Sequence, residues 1–97
     1  MILSSESEKE MVARIVRETI SSILPNLPVE DVSGNRSLLE HGADSVDRVE
    51  IILSIMNRLG IDEPMSNFST IPNINELVNY LCRARQKLPD RNKNTLP

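Results

Sequence analysis

Gly42-Ala43-Asp44-Ser45-Val46-Asp47-Arg48-Val49-Glu50-Ile51-Ile52-Leu53-Ser54-Ile55-Met56-Asn57-Arg58-Leu59-Gly60 reads as one capped helix. Val46, Val49, Ile52, Leu53, Met56 and Leu59 recur at the three- and four-residue spacing of a helical face. Asp44 and Ser45 stand where an N-cap is needed, since their side-chain oxygens can satisfy the orphan N–H groups of a first turn. Gly60 suits the left-handed residue that ends a helix. Ile51 and Ile55 widen the apolar surface beyond one stripe, so this helix should bury more than one side or offer apolar surface to a partner.

Upstream, Ser5-x-x-Glu8 and Ser7-x-x-Glu10 are overlapping capping boxes ahead of Val12, Ile15, Val16, Thr19, Ile20, Ile23 and Leu24. The spacing predicts a first helix over residues 6–23, stopped by Pro25 and Pro28. Residues 26–37 read as a long loop anchored by Leu27, Val29, Val32, Leu38 and Leu39. Downstream, the segment after Pro64 has room for one short helix carrying Phe68, and Asn73-x-x-Glu76 opens a last helix to about Gln86 through Ile74, Leu77, Val78, Leu81 and Cys82. With no alternating β pattern, the expected fold is all-α: a small four-helix bundle, three main helices plus one short helix, with a long first loop. Residues 1–88 form the predicted domain, and the polar tail 89–97 is expected to be disordered.

Composition narrows the function. A 97-residue chain builds one modest core, burying about 60–65% of the surface that its unfolded form exposes. Phe68 and Tyr80 are the only aromatic residues, which leaves no stacking platform for bases, and a net charge of −3 repels phosphate backbones. One cysteine, Cys82, and one histidine, His41, fall short of a disulfide or an ordinary zinc site. The N-terminus turns acidic before a secretory core could form, and no apolar run is long enough for a membrane span. A monomeric cytoplasmic protein, binding neither nucleic acid nor membrane, is expected.

The segment Leu38-Leu39-Glu40-His41-Gly42-Ala43-Asp44-Ser45-Val46-Asp47-Arg48-Val49-Glu50 resembles the attachment motif of acyl carrier proteins: a leucine-containing loop, Gly-x-Asp-Ser, a hydrophobic residue, and Val-Glu shortly after. The likeness continues through Leu59-Gly60-Ile61 and the segment from Ile74 to Leu81. The resemblance implies a four-helix bundle with a long first loop, in agreement with the periodicity. It also implies that a phosphopantetheinyl transferase joins the 4′-phosphopantetheine of coenzyme A to the Ser45 hydroxyl, whose thiol then carries acyl groups as thioesters. On that reading the chain is a carrier and no enzyme, and Asp44 orients the modifying enzyme.

A catalytic serine is the rival chemistry, and the residues disfavour it. Adjacent Asp44 and Ser45 cannot easily sit on opposite sides of the His41 ring, and Gly-x-Ser-x-Gly is missing. His41 reads instead as a solvated loop residue. An unmodified helical interaction domain, with Asp44 and Ser45 as mere caps, is the competing class.

The helix after Ser45 is where carrier proteins meet their enzymes. Glu40, Asp44, Asp47, Glu50, Asp62 and Glu63 stand against Arg48 and Arg58, so the acidic field survives while Arg48, Met56, Asn57 and Arg58 dilute its centre. Val46, Val49 and Met56 are expected to flank the arm, and Arg48 to select partners by charge. The chain looks like a discrete carrier acting in trans. Gly-Ala-Asp-Ser-Val-Asp-Arg-Val-Glu-Ile-Ile looks most like the stand-alone carriers of polyketide β-branching cassettes, which donate acetyl units to a hydroxymethylglutaryl-type synthase. A general fatty-acid or polyketide carrier, served by an acyltransferase or ketosynthase, shares most of these residues.

Overall fold

The computed structural model describes residues 7–87. Three α-helices, α1 (Glu8–Ile23), α2 (Ser45–Leu59) and α3 (Ile74–Gln86), are joined by segments holding short 3₁₀ turns at Val29–Asp31, Leu39–His41 and Met65–Phe68. The described residues contain no strand. The expected all-α bundle is therefore observed, with its short element formed as a single 3₁₀ turn. Pro64 precedes that turn, which has no side-chain cap and no buried residue, so little holds a longer helix there.

Each α-helix starts where a side chain can take the orphan N–H groups. Ser7 Oγ accepts from the Glu10 N–H at 3.1 Å, and Glu10 Oε1 accepts from the Ser7 N–H at 3.1 Å. Of the two overlapping boxes this is the one observed; Ser5 and Glu6 lie outside the described residues. Asn73 Oδ1 accepts from the Glu76 N–H at 2.9 Å and opens α3. At the far end of α2, Gly60 takes a left-handed φ of 72°, where a side chain would be strained, and the Ile61 N–H returns to the Met56 carbonyl at 3.0 Å.

α1 is the hub: it packs on both α2 and α3, which approach each other less closely. Val12, Val16 and Ile20 meet Ile51, Ile55 and Leu59 from α2, and Leu77, Leu81 and Ala84 from α3, all buried. Among the described residues the one buried polar residue is Thr19, whose hydroxyl donates to the Ile15 carbonyl at 2.7 Å and accepts from Arg58 Nη1 at 3.0 Å. Thr19 thus ties the end of α2 to α1 without leaving an unpaired hydroxyl.

The first loop departs from expectation in two places. Val32 is buried and Leu27 and Leu38 pack partly against the core, but Val29 and Leu39 are 38% and 60% exposed. Both lie in 3₁₀ turns, where three residues cannot all face inward. His41 is no free solvated residue: its Nε2 accepts from the Ser33 N–H at 2.9 Å, and Nδ1 donates to the Ser37 carbonyl at 2.7 Å. The ring pins the loop in place of the missing apolar anchors. The Gly34 and Arg36 carbonyls then accept from the Asn75 and Ile74 N–H groups, each at 2.9 Å, docking the loop on the start of α3.

Candidate functional site

Ser45 is the first residue of α2, and its hydroxyl is spared from capping. The Asp44 carboxylate accepts from the Asp47 N–H at 2.8 Å, and Asp47 Oδ2 accepts from the Asp44 N–H at 3.3 Å. These two residues close the capping box by themselves. Ser45 is exposed, and its hydroxyl makes no hydrogen bond among the described residues. The chain reaches it through Gly42, whose φ of 97° reverses the backbone after Leu39–His41 and lets Ala43 bury beneath the helix start.

Among the described residues, no base is hydrogen-bonded to the hydroxyl. Both nitrogens of His41 are engaged by Ser33 and Ser37, and the Asp44 carboxylate is engaged by the backbone. Neither His41 nor Asp44 is therefore placed to activate Ser45 as a nucleophile.

From Ser45 two apolar surfaces run along α2. One is an open outer stripe of Val46, Val49 and Leu53, which are 72%, 47% and 52% exposed, flanked by Glu50. The other is a groove of about 220 Å³ between α2 and the Met65–Phe68 turn. Leu38, Val49, Ile52, Met65 and Phe68 wall it, with Ser45 and Arg48 also lining it. The turn is fastened from behind by Tyr80 of α3. The Tyr80 hydroxyl donates to Glu63 Oε1 at 2.6 Å and accepts from Asn67 Nδ2 at 2.9 Å, while its ring meets Phe68 edge to face at 5.2 Å. Burial first, and then the bond to Glu63, push the Tyr80 phenol above its ordinary pKa.

Of the residues expected to face partners, Asp44, Val46, Arg48 and Val49 are exposed around Ser45. Met56 is not: it is 5% exposed, and its sulfur accepts from the Glu63 N–H at 3.3 Å. The reversal at Gly60 folds Ile61–Glu63 back over the end of α2 and covers that side chain, so Met56 belongs to the core. Leu53 takes its place on the outer stripe. The signal was present in the sequence, because 46, 49 and 53 keep helical spacing among themselves on the side opposite Ile51, Ile55 and Leu59. Phe68 was placed on a short element, but its position across from Ser45 depends on Tyr80, more than ten residues away, and left no local trace.

The geometry suits a tethered phosphodiester. An unencumbered hydroxyl opens a 15-residue helix, whose first-turn N–H groups and dipole favour an anion. The adjoining groove could shelter the first part of a flexible arm.

The profile of the family described as "phosphopantetheine attachment site" matches residues 14–81, most of the chain. A polyketide biosynthesis acyl-carrier-protein, AcpK of Bacillus subtilis (strain 168), is 34% identical over 74 residues, which are 76% of this chain and 90% of that protein. D-alanyl carrier protein 2 of Lactiplantibacillus plantarum is 41% identical over 61 residues, 60% of this chain and 76% of that one. An acyl carrier protein of Chloroherpeton thalassium is 36% identical over 45 residues, covering 46% of this chain and 56% of that protein. No solved structure gives a significant match.

Proposed function

Because the chain belongs to the phosphopantetheine-attachment family of acyl carrier proteins, whose prosthetic group is covalently held 4′-phosphopantetheine, we propose that Ser45 is the residue that bears it. The observation that carries this is the division of labour at the start of α2: Asp44 and Asp47 make the cap, and Ser45 keeps a free and exposed hydroxyl. The bound group supplies a terminal thiol for thioesters. The protein supplies a reachable hydroxyl, a rigid helix behind it, and a docking surface of Asp44, Val46, Arg48, Val49 and Leu53.

The cargo is acetyl and the receiving enzyme a hydroxymethylglutaryl-type synthase of a β-branching cassette, with the carrier acting in trans in the cytoplasm. The motif around Ser45 and the likeness to a polyketide-biosynthesis carrier support this reading. A general ketosynthase-serving carrier is the alternative. The D-alanyl carriers among the relatives favour one further cargo class, an aminoacyl thioester.

Intact mass after incubation with coenzyme A and a broad-range phosphopantetheinyl transferase tests the attachment. Wild type gains the arm, and Ser45→Ala does not; a Ser45→Ala protein that still gains it removes the assignment. Transfer assays with acetyl-loaded protein then test the partner. The synthase should accept it better than a fatty-acid ketosynthase does, and Arg48→Glu should lower that acceptance, less so as salt rises. Preference for the ketosynthase would make this a general carrier, and preferential loading by a D-alanine ligase would move it to the aminoacyl class.

A further inference from the structure

Among the described residues Arg48 is a cation with no structural partner. Arg58 donates to Thr19 and Arg85 pairs with Glu8 at 3.0 Å, whereas Arg48 is exposed and, among the described residues, makes no ion pair or side-chain hydrogen bond. It is also the only Lys or Arg between Arg36 and Arg58. Its place is not random: it stands three residues after Ser45 on the same helix, a spacing that brings Cβ atoms to about 5–6 Å. Both residues line the groove beside the Met65–Phe68 turn.

A phosphodiester on Ser45 adds a negative charge to a helix start that already carries the Asp44 and Asp47 carboxylates. Both carboxylates accept backbone N–H bonds, so their charges are held beside the new one. Neither is ion-paired to Arg48, even though Asp44 lies at the four-residue spacing that favours such a pair.

We propose that Arg48 is the intramolecular counter-ion of the arm, its planar guanidinium donating paired N–H groups to the phosphodiester oxygens. The pair offsets repulsion from Asp44 and Asp47 and aims the root of the arm toward the groove, leaving the thiol end mobile. It also gives the protein two electrostatic faces. The unmodified form shows the transferase a bare cation beside Ser45, and the modified form shows later enzymes a neutral pair. Arg48 is thus a positioning residue, acting on partners through the direction of the arm. The inference rests on Ser45 as the attachment residue.

The test needs no receiving enzyme, only the transferase that attaches the arm. Wild type, Arg48→Gln and Arg48→Lys are prepared with and without the arm, checked by intact mass, and compared by thermal unfolding and by the phosphorus-31 resonance of the arm. For wild type at low salt the arm should raise the melting temperature by about 2 °C, the scale of one exposed helical ion pair in a domain of this size. The gain should vanish near 1 M salt, where the Debye length is about 3 Å. In Arg48→Gln the arm should give no gain or a small loss, with a displaced phosphorus resonance, and Arg48→Lys should restore part of both. An arm-induced shift that is equal in wild type and Arg48→Gln, with coincident phosphorus resonances, overturns the pairing. A wild type that never acquires the arm overturns the Ser45 assignment instead, so the two failures are told apart by mass alone.

Discussion

At the scale of single residues, neighbouring polar side chains at the start of α2 do different work. Asp44 stabilises the helix and Ser45 does not, since only the Asp44 carboxylate receives a first-turn N–H. Asp44→Ala should therefore cost about 1 kcal/mol of unfolding free energy, while Ser45→Ala should stay within about 0.5 kcal/mol of wild type. Urea unfolding of the two unmodified variants checks this. A Ser45→Ala variant as destabilised as Asp44→Ala would make Ser45 the working cap and weaken the case for its availability to the transferase. His41 shows the same economy of role: the residue that looked like a possible base holds Ser33 and Ser37 together.

At the scale of the helix, α2 is apolar on two sides for two reasons. Ile51, Ile52, Ile55, Met56 and Leu59 enter the core, and Val46, Val49 and Leu53 remain at the surface. The two sets should answer differently to the same substitution. Met56→Ala should cost about 2–5 kcal/mol, as for other buried large-to-small changes, while Val49→Ala should lie within about 0.5 kcal/mol of wild type. Thermal unfolding reads the first effect, and transfer assays should show the Val49 change acting on partner acceptance with the fold intact. A stable Met56→Ala protein would return that residue to the surface and undo the division of the helix.

At the scale of the whole molecule, the wall facing Ser45 is set by contacts between distant segments. Tyr80 holds Glu63, Asn67 and Phe68 from α3, and so holds the Met65–Phe68 turn against α2. Because Tyr80 is the single tyrosine of a chain without tryptophan, its ultraviolet absorbance reports this contact alone. Folding favours the neutral phenol, so the tyrosinate transition of the native protein should lie above pH 10. The stability this contact contributes is fully present below the unfolded phenol's pKa and is lost as pH rises through the higher native value. Glu63→Gln should lower the midpoint only in part, since burial is the larger cause and remains. A native midpoint at or below that of the urea-unfolded chain would mean that the turn is not held by Tyr80.

The sequence by itself determined the three α-helices, the candidates for their caps, the left-handed stop at Gly60, and the segment holding Ser45. Each depends on side chains within a few residues of one another, through helical period, N-capping and glycine's positive φ. Helix bounds were legible to within a residue or two for the same reason. Only the tertiary structure decided which apolar face of α2 stays exposed, that Met56 is covered while Leu53 is not, that Val29 and Leu39 leave the core to be replaced by a histidine bridge, and that Phe68 faces Ser45 across a groove. Those outcomes turn on how the chain reverses after Gly60 and where α3 places Tyr80. Periodicity shows that a helix has an apolar side; burial depends on what the rest of the chain brings against it.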